Sequence, residues 1–396
     1  MIRSLLIPAL LFATIVPSHA QKSVVDSIPY QGYQRMYTVH LPPSYDGVRT
    51  VPVVVFLHGG SGSMESAQNF TRLNPVSNRY GFVAVYPEGI APSGIGGFAW
   101  ADGRGTSADN LGIDDVGFVN TLIEALSRSY ALDTTRVYLA GFSNGGFLAQ
   151  RIACEANARF AAIASLCGTI DVIQFPRCRP SRPIPMFLLA GTRDPLVPYG
   201  GGAMQGNVPD VISSDEIFQF WIDNNRCRKR IDSLTFPDTD PTDSSTVSVF
   251  EYQDCDCNAN VQHVRVDGGG HTWPGVEIPA YEVIAGQTNE DVQASEILWA
   301  FFSRHTLCST VTSVHEAPTP SRLSVYPNPS TDMVVIEAVS MIASIQLFDM
   351  RGALIFQHQV FSRQYAFPVG TLQRGSYVLA VRSTDDHMET IRFIMQ

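Results

Sequence analysis

Residues 136–153 read RVYLAGFSNGGFLAQRIA, and this stretch decides the fold. Its first half is a short apolar, β-branched run, and its second half is a small-residue and apolar stretch at helical spacing. Between them Gly141, Ser143 and Gly145 form G-x-S-x-G. That pattern marks a tight strand-to-helix turn holding a serine in a strained conformation above a sheet, with glycines where side chains would collide with the strand and the helix. The hydroxyl then projects at the helix N-terminus, where the Asn144 amide and the helix dipole stabilise negative charge on an oxygen. The competing reading is a plain glycine-rich bend, so the surroundings must decide.

Outward from this turn, VPVVVFLHGG, GFVAVYPEG, AAIASLCG, PMFLLAG and VQHVRVDGG are further short apolar runs ending in glycine or polar residues, as expected of strands buried on both faces. Between them DDVGFVNTLIEALSRSYA sets Val116, Val119, Leu122, Ile123 and Leu126 on one helical face, with Asp114 as N-cap. SDEIFQFWIDNN and DVQASEILWAFFSRH read as helices too. Strands alternating with helices predict an α/β fold, a mostly parallel sheet covered on both faces.

A nucleophilic serine needs a base, and the base needs an orienting carboxylate. PMFLLAGTRDPLVPY delivers Asp194 just past a strand end, and VQHVRVDGGGHTWPG delivers His271 in a glycine-rich loop past another. Taken singly, Asp194 reads as a capping aspartate and His271 as a loop histidine; in the chain order Ser, Asp, His at three strand ends they read as a triad. His263 and Asp171 are the fallback base and acid. The run VVVFLHGGSGS supplies a second oxyanion amide, assigned to Gly60 with Ser61 as its neighbour, while His58 is expected to brace that loop. No cofactor or metal is expected.

The 396 residues are 45% hydrophobic, more than one compact domain needs, and the net charge of −10 argues against nucleic-acid or anionic-membrane partners. Residues 1–20 have the layout of a cleaved secretory signal: Arg3, an apolar core from Leu5 to Val16, then Ser18 and Ala20. No other segment is long and apolar enough to span a bilayer, so the mature chain is expected to carry no transmembrane segment. Export permits disulfides, and all seven cysteines lie between Cys154 and Cys308. Cys167, in an apolar run, reads as the free one; Cys154 with Cys178, and Cys227 with Cys255 or Cys257, are the first pairings expected. A zinc site at DCDC lacks a matching second pair, and a calcium loop at Asp238, Asp240 and Asp243 lacks the glycine and distal glutamate of such loops.

Around residue 309 the character changes. Residues 309–322 are polar and proline-bearing, a linker by composition. MVVIEAV, SIQLFDM, ALIFQHQV, YVLAVRS and ETIRFIMQ then predict a small all-β sandwich over 323–396, for which a sugar-binding or adhesive module is the alternative. It has no cluster of acid, base and nucleophile, which leaves the chemistry to residues 21–308.

LHGGSGS, DDVGFVNTLIEALSRSYALDTTRVYLAGFSNGG, GTRDPLVPYGGG and GGGHTWPG resemble the secreted esterases of the polyhydroxybutyrate depolymerase and feruloyl or acetylxylan esterase group, over residues 30–308. The resemblance implies an α/β-hydrolase fold, a metal-free serine triad on Ser143, Asp194 and His271, and bulky, polymer-bound ester substrates. It also places Trp273 beside the base as an aromatic wall, and Trp100 falls in a substrate-facing loop. LSVYPNPSTDMVVIEAV and the strands after it resemble the C-terminal sorting domain of type IX secretion cargo, which implies the secretion machinery as partner and release or attachment at the cell surface. A peptidase or amidase on the same fold, and a non-catalytic surface binding protein, are the alternatives.

Overall fold

The computed structural model describes residues 22–92, 96–205, 208–308, 323–349, 353–384 and 388–396. The signal-like segment 1–20 and the linker 309–322 lie outside the described residues. The rest divides into two units, one up to residue 308 and one from residue 323.

The apolar runs become neighbouring strands of one sheet. In chain order the first unit has β1 (Lys22–Tyr30), β2 (Tyr33–Leu41), β3 (Val51–Leu57), β4 (Val83–Pro87) and β5 (Leu132–Phe142). β6 (Ala162–Leu166), β7 (Met186–Gly191), β8 (Lys229–Thr235), β9 (Thr246–Gln253) and β10 (Val261–Asp267) follow. They pair in the order β1-β2-β4-β3-β5-β6-β7-β10-β9-β8. The six central strands, β4 to β10 in that order, are mutually parallel, and antiparallel pairs extend both edges.

Side chains alternate across these strands, so each inner strand feeds two cores. Val53, Val55 and Leu57 face α3 (Asp115–Ser129), α4 (Asn144–Glu155) and α5 (Ser214–Asn224). Val54 and Phe56 face the opposite layer, where α1 (Met64–Thr71), α2 (Leu73–Tyr80) and α7 (Ala294–Phe302) pack; α6 (Pro279–Ala285) follows β10. Helix α3 carries the expected apolar face buried, and the Asp114 carboxylate accepts the Gly117 N–H at its start, a cap of about 1 kcal/mol. This is the α/β-hydrolase architecture.

The second unit contains only antiparallel strands: β11 (Leu323–Tyr326), β12 (Met333–Asp349), β13 (Leu354–Pro368), β14 (Gly375–Ser383) and β15 (Met388–Met395). They form one continuous sheet around a separate apolar core that includes Val334, Ile336, Leu347, Leu379 and Phe393. MVVIEAV and SIQLFDM belong to the single strand β12, whose register slips between Glu337 and Ile342. The disulfides are Cys154–Cys178, Cys227–Cys255 and Cys257–Cys308, and Cys167 is free and buried. Both DCDC cysteines are thus in disulfides and offer no thiolate to zinc.

Candidate active site

Ser143 sits between the end of β5 and the start of α4, with φ 55° and ψ −120°. Its amide donates to the Leu166 carbonyl at 2.9 Å. The glycines are required by close approach: a Cβ on Gly141 would stand 2.0 Å from the Gly145 oxygen, and one on Gly145 2.4 Å from the Leu57 oxygen. β5, β3 and α4 therefore meet too tightly for any other residue, and the serine is left at the tip.

Asp194 follows β7 by three residues, and its Oδ1 accepts the amides of Leu196 and Val197, each at 2.8 Å. Its Oδ2 lies 2.6 Å from Nδ1 of His271, in the loop after β10, and both side chains are buried. A carboxylate there only accepts, so Nδ1 carries the proton and Nε2 is left as the basic atom. The ring packs on Phe142 at 4.9 Å, one residue before the serine.

Ser143 and His271 line one cavity of about 520 Å³. Its polar side also holds Gly59, Gly60 and Ser61; its apolar side is Phe70, Phe142, Leu196, Ile278, Tyr281 and Ile284. A Cβ on Gly60 would be 3.6 Å from that of Asn144, which sets the two expected oxyanion residues side by side, and among the described residues neither amide donates to the protein. Nor does the Ser143 hydroxyl make a side-chain hydrogen bond there. A second cavity of about 220 Å³, beside the Cys154–Cys178 disulfide, contains none of the three.

His58 braces the Gly60 loop, Nδ1 donating to the Gly59 carbonyl at 2.7 Å and Nε2 accepting the Gly89 amide at 3.0 Å; burial lowers its pKa to about 4, so it stays neutral. The fallback residues lie elsewhere. His263 is buried in β10, its pKa also lowered to about 4 by burial, and the Asp171 carboxylate turns back onto the amides of Ile173 and Gln174. Cys167 comes close: its sulfur, an Asp194 oxygen and a His271 nitrogen lie within 4.8 Å of one another. Burial, then the charge of Asp194, push its thiol well up, and the Asp–His pair is already committed to its own hydrogen bond.

Both tryptophans expected at the substrate require correction. Trp273 is 1% exposed and packs edge-on against Phe56 at 5.5 Å, beneath the cavity. Trp100 is wholly buried, its indole N–H spent on the His58 carbonyl at 2.9 Å. Large apolar rings in a tight layer gain more from the core than from the surface. The aromatic wall is instead made by Phe70 and Tyr281, perpendicular at 5.8 Å. The repeat of Ile278, Tyr281 and Ile284 at three-residue spacing is the sequence signal that marks it.

The sheet, its strand ends and this constellation define a hydrolase of the α/β type. Residues 35–174 match the family described as Esterase PHB depolymerase, and residues 324–396 match the Secretion system C-terminal sorting domain. An esterase-like segment is thus followed by an export tail, and the chain is a secreted or cell-surface carboxylic ester hydrolase. Among its relatives, NocK of Nocardia uniformis subsp. tsuyamanensis, named provisionally as an esterase, is 29% identical over 67% of this chain and 78% of its own. A bifunctional acetylxylan esterase/xylanase of Neocallimastix patriciarum is 26% identical over 65% of this chain, and feruloyl esterase B of Piromyces equi 25% identical over 60%. The chain spans 34% and 42% of these last two relatives. The solved acetyl xylan esterase of Aspergillus awamori superposes with a TM-score of 0.44 and 13% identity, over 67% of this chain and 97% of that one. Among the described residues no helix is long and apolar enough to cross a membrane.

Proposed function

We propose that Ser143, His271 and Asp194 are the nucleophile, base and orienting acid of this hydrolase, and that its esters are polymer-linked: feruloyl or acetyl groups on plant polysaccharide, or a polyhydroxybutyrate-type polyester. The observation that carries the reading is the buried Asp194–His271 pair opening, with Ser143, onto one apolar cavity. As the ester fills it, Ser143 Oγ turns onto His271 Nε2, gives up its proton and attacks the carbonyl carbon. The amides of Gly60 and Asn144 hold the tetrahedral oxyanion. The alkoxide leaves with the proton from Nε2, and water frees the acid by the same steps in reverse. Type IX export, with removal of the tail, would deliver residues 21–308 to a substrate outside the cell.

Ser143→Ala should leave a folded protein whose turnover of p-nitrophenyl acetate falls by roughly three orders of magnitude or more. Retained turnover would sink the assignment. Methyl ferulate, acetylated xylan and hydroxybutyrate oligomers, assayed beside aminoacyl anilides, then identify the acyl group and separate esterase from amidase.

A further inference from the structure

We infer that Trp100 is a positioning residue that ties together the two chain segments presenting oxyanion amides, an inference that rests on the ester-hydrolase reading above. Its indole N–H donates to the His58 carbonyl at 2.9 Å, two residues before Gly60. Its backbone N–H donates to Asn144 Oδ1 at 2.8 Å, and Asn144 Nδ2 donates to the Trp100 carbonyl at 3.1 Å and to Asp102 Oδ2 at 2.6 Å. One residue therefore grips the Gly60 loop with its side chain and the start of α4 with its backbone.

The surrounding contacts fix that grip. The Phe98 amide donates to the Gly62 carbonyl at 3.1 Å, and Ile90 and Ala99 exchange two backbone bonds. Gly97 approaches so closely that a Cβ would lie 2.4 Å from the Ser61 oxygen. On the far side the Ala101 amide reaches Asp115, itself paired with the buried Arg35 at 2.6 Å. The Trp100 ring stands against His58, centroids 4.8 Å apart. Oxyanion donors act by being held in place before charge develops, so a residue fixing the spacing of the two amides should act on the transition state and little on the bound substrate.

Trp100→Phe removes the indole N–H and keeps an aromatic ring. In the full-length protein with p-nitrophenyl butyrate, kcat should fall about tenfold, less than the hundred- to thousandfold that losing a donor outright costs. KM should stay within about twofold, and the inhibition constant of a trifluoromethyl ketone, whose hemiketal oxyanion occupies the pocket, should rise by the same factor as kcat falls. Asp102→Ala and Asp102→Asn form the second arm: both lose the ion pair with Arg104, but asparagine keeps an oxygen for Asn144 Nδ2 and should restore most of kcat. An unchanged kcat in folded Trp100→Phe, a loss confined to KM, or Asp102→Asn no better than Asp102→Ala would each overturn the inference. If Trp100→Phe does not fold, the Asp102 pair decides alone. A wild-type chain inactive on every ester would instead overturn the hydrolase reading itself.

Discussion

Ser143 holds φ at 55°, a region that costs a residue with a side chain about 1–3 kcal/mol and persists only where the surroundings enforce it. Here the Leu166 carbonyl and the first turn of α4 enforce it. The histidines divide as sharply. His271 has a carboxylate partner, whereas His263 is sealed among Tyr199, Phe218 and Phe250, with its Nε2 unpartnered among the described residues. Burial lowers the His263 pKa to about 4; Asp215 pulls it up, Arg265 down and Asp267 up by smaller amounts. The unfolded chain, at the ordinary 6.5, binds this proton first as pH falls, so stability is lost on acidification from 6.5 to about 4. This one site accounts for about 3 kcal/mol of that loss. His263→Phe should therefore gain about that much relative to wild type between neutral and acid pH, read from urea unfolding at each pH. Parallel curves for the two proteins would show that the imidazole is not held neutral.

At the scale of elements, the elbow and the six central strands were legible because strands buried on both faces are continuous apolar runs punctuated by glycine. The edge strands were not: β8 is KRIDSLT with only Ile231 partly buried, a pattern that composition cannot separate from a loop. β12 read as two strands because its register slips in the middle. The order of Ser143, Asp194 and His271 was readable from their strand ends, but the facing of Trp100 and Trp273 was not, since proximity in sequence to a reacting group does not say which way a ring points. Helix α6 also escaped notice, being short, and it matters most for specificity. It lines the cavity with Tyr281 and Ile284, while Val283 between them is 86% exposed. Burial pushes the Tyr281 phenol well up, so it stays a neutral wall. Tyr281→Trp should narrow the apolar side and lower kcat/KM for methyl cinnamate about tenfold, roughly what one bulky group is worth in an apolar pocket, and leave p-nitrophenyl acetate within about twofold. Equal losses on both substrates would place Tyr281 outside the acyl slot.

Across the whole molecule, every residue of the site comes from the first unit, and so does every cysteine. The tail has its own apolar core. What export does change is the redox setting, since disulfides form and persist outside the cell. Cys257–Cys308 closes the longest separation of the three, 51 residues, against 24 and 28 for the others. It also anchors the segment after α7, which returns beneath β5: the Leu307 amide donates to the Thr135 carbonyl at 2.6 Å, and the Tyr138 hydroxyl to the His305 carbonyl at 2.7 Å. β5 is the strand that leads into Ser143, but these contacts stop at Thr135 and Tyr138, eight and five residues before it, so losing the bridge should weaken the fold without moving the serine. A loop of this length is worth about 4 kcal/mol of chain entropy in the unfolded state. Cys257→Ser with Cys308→Ser should lower the free energy of unfolding by about that amount in urea and leave kcat/KM at 25 °C within about twofold. A drop in kcat/KM in the folded double variant would mean that the segment after α7 reaches the elbow through β5.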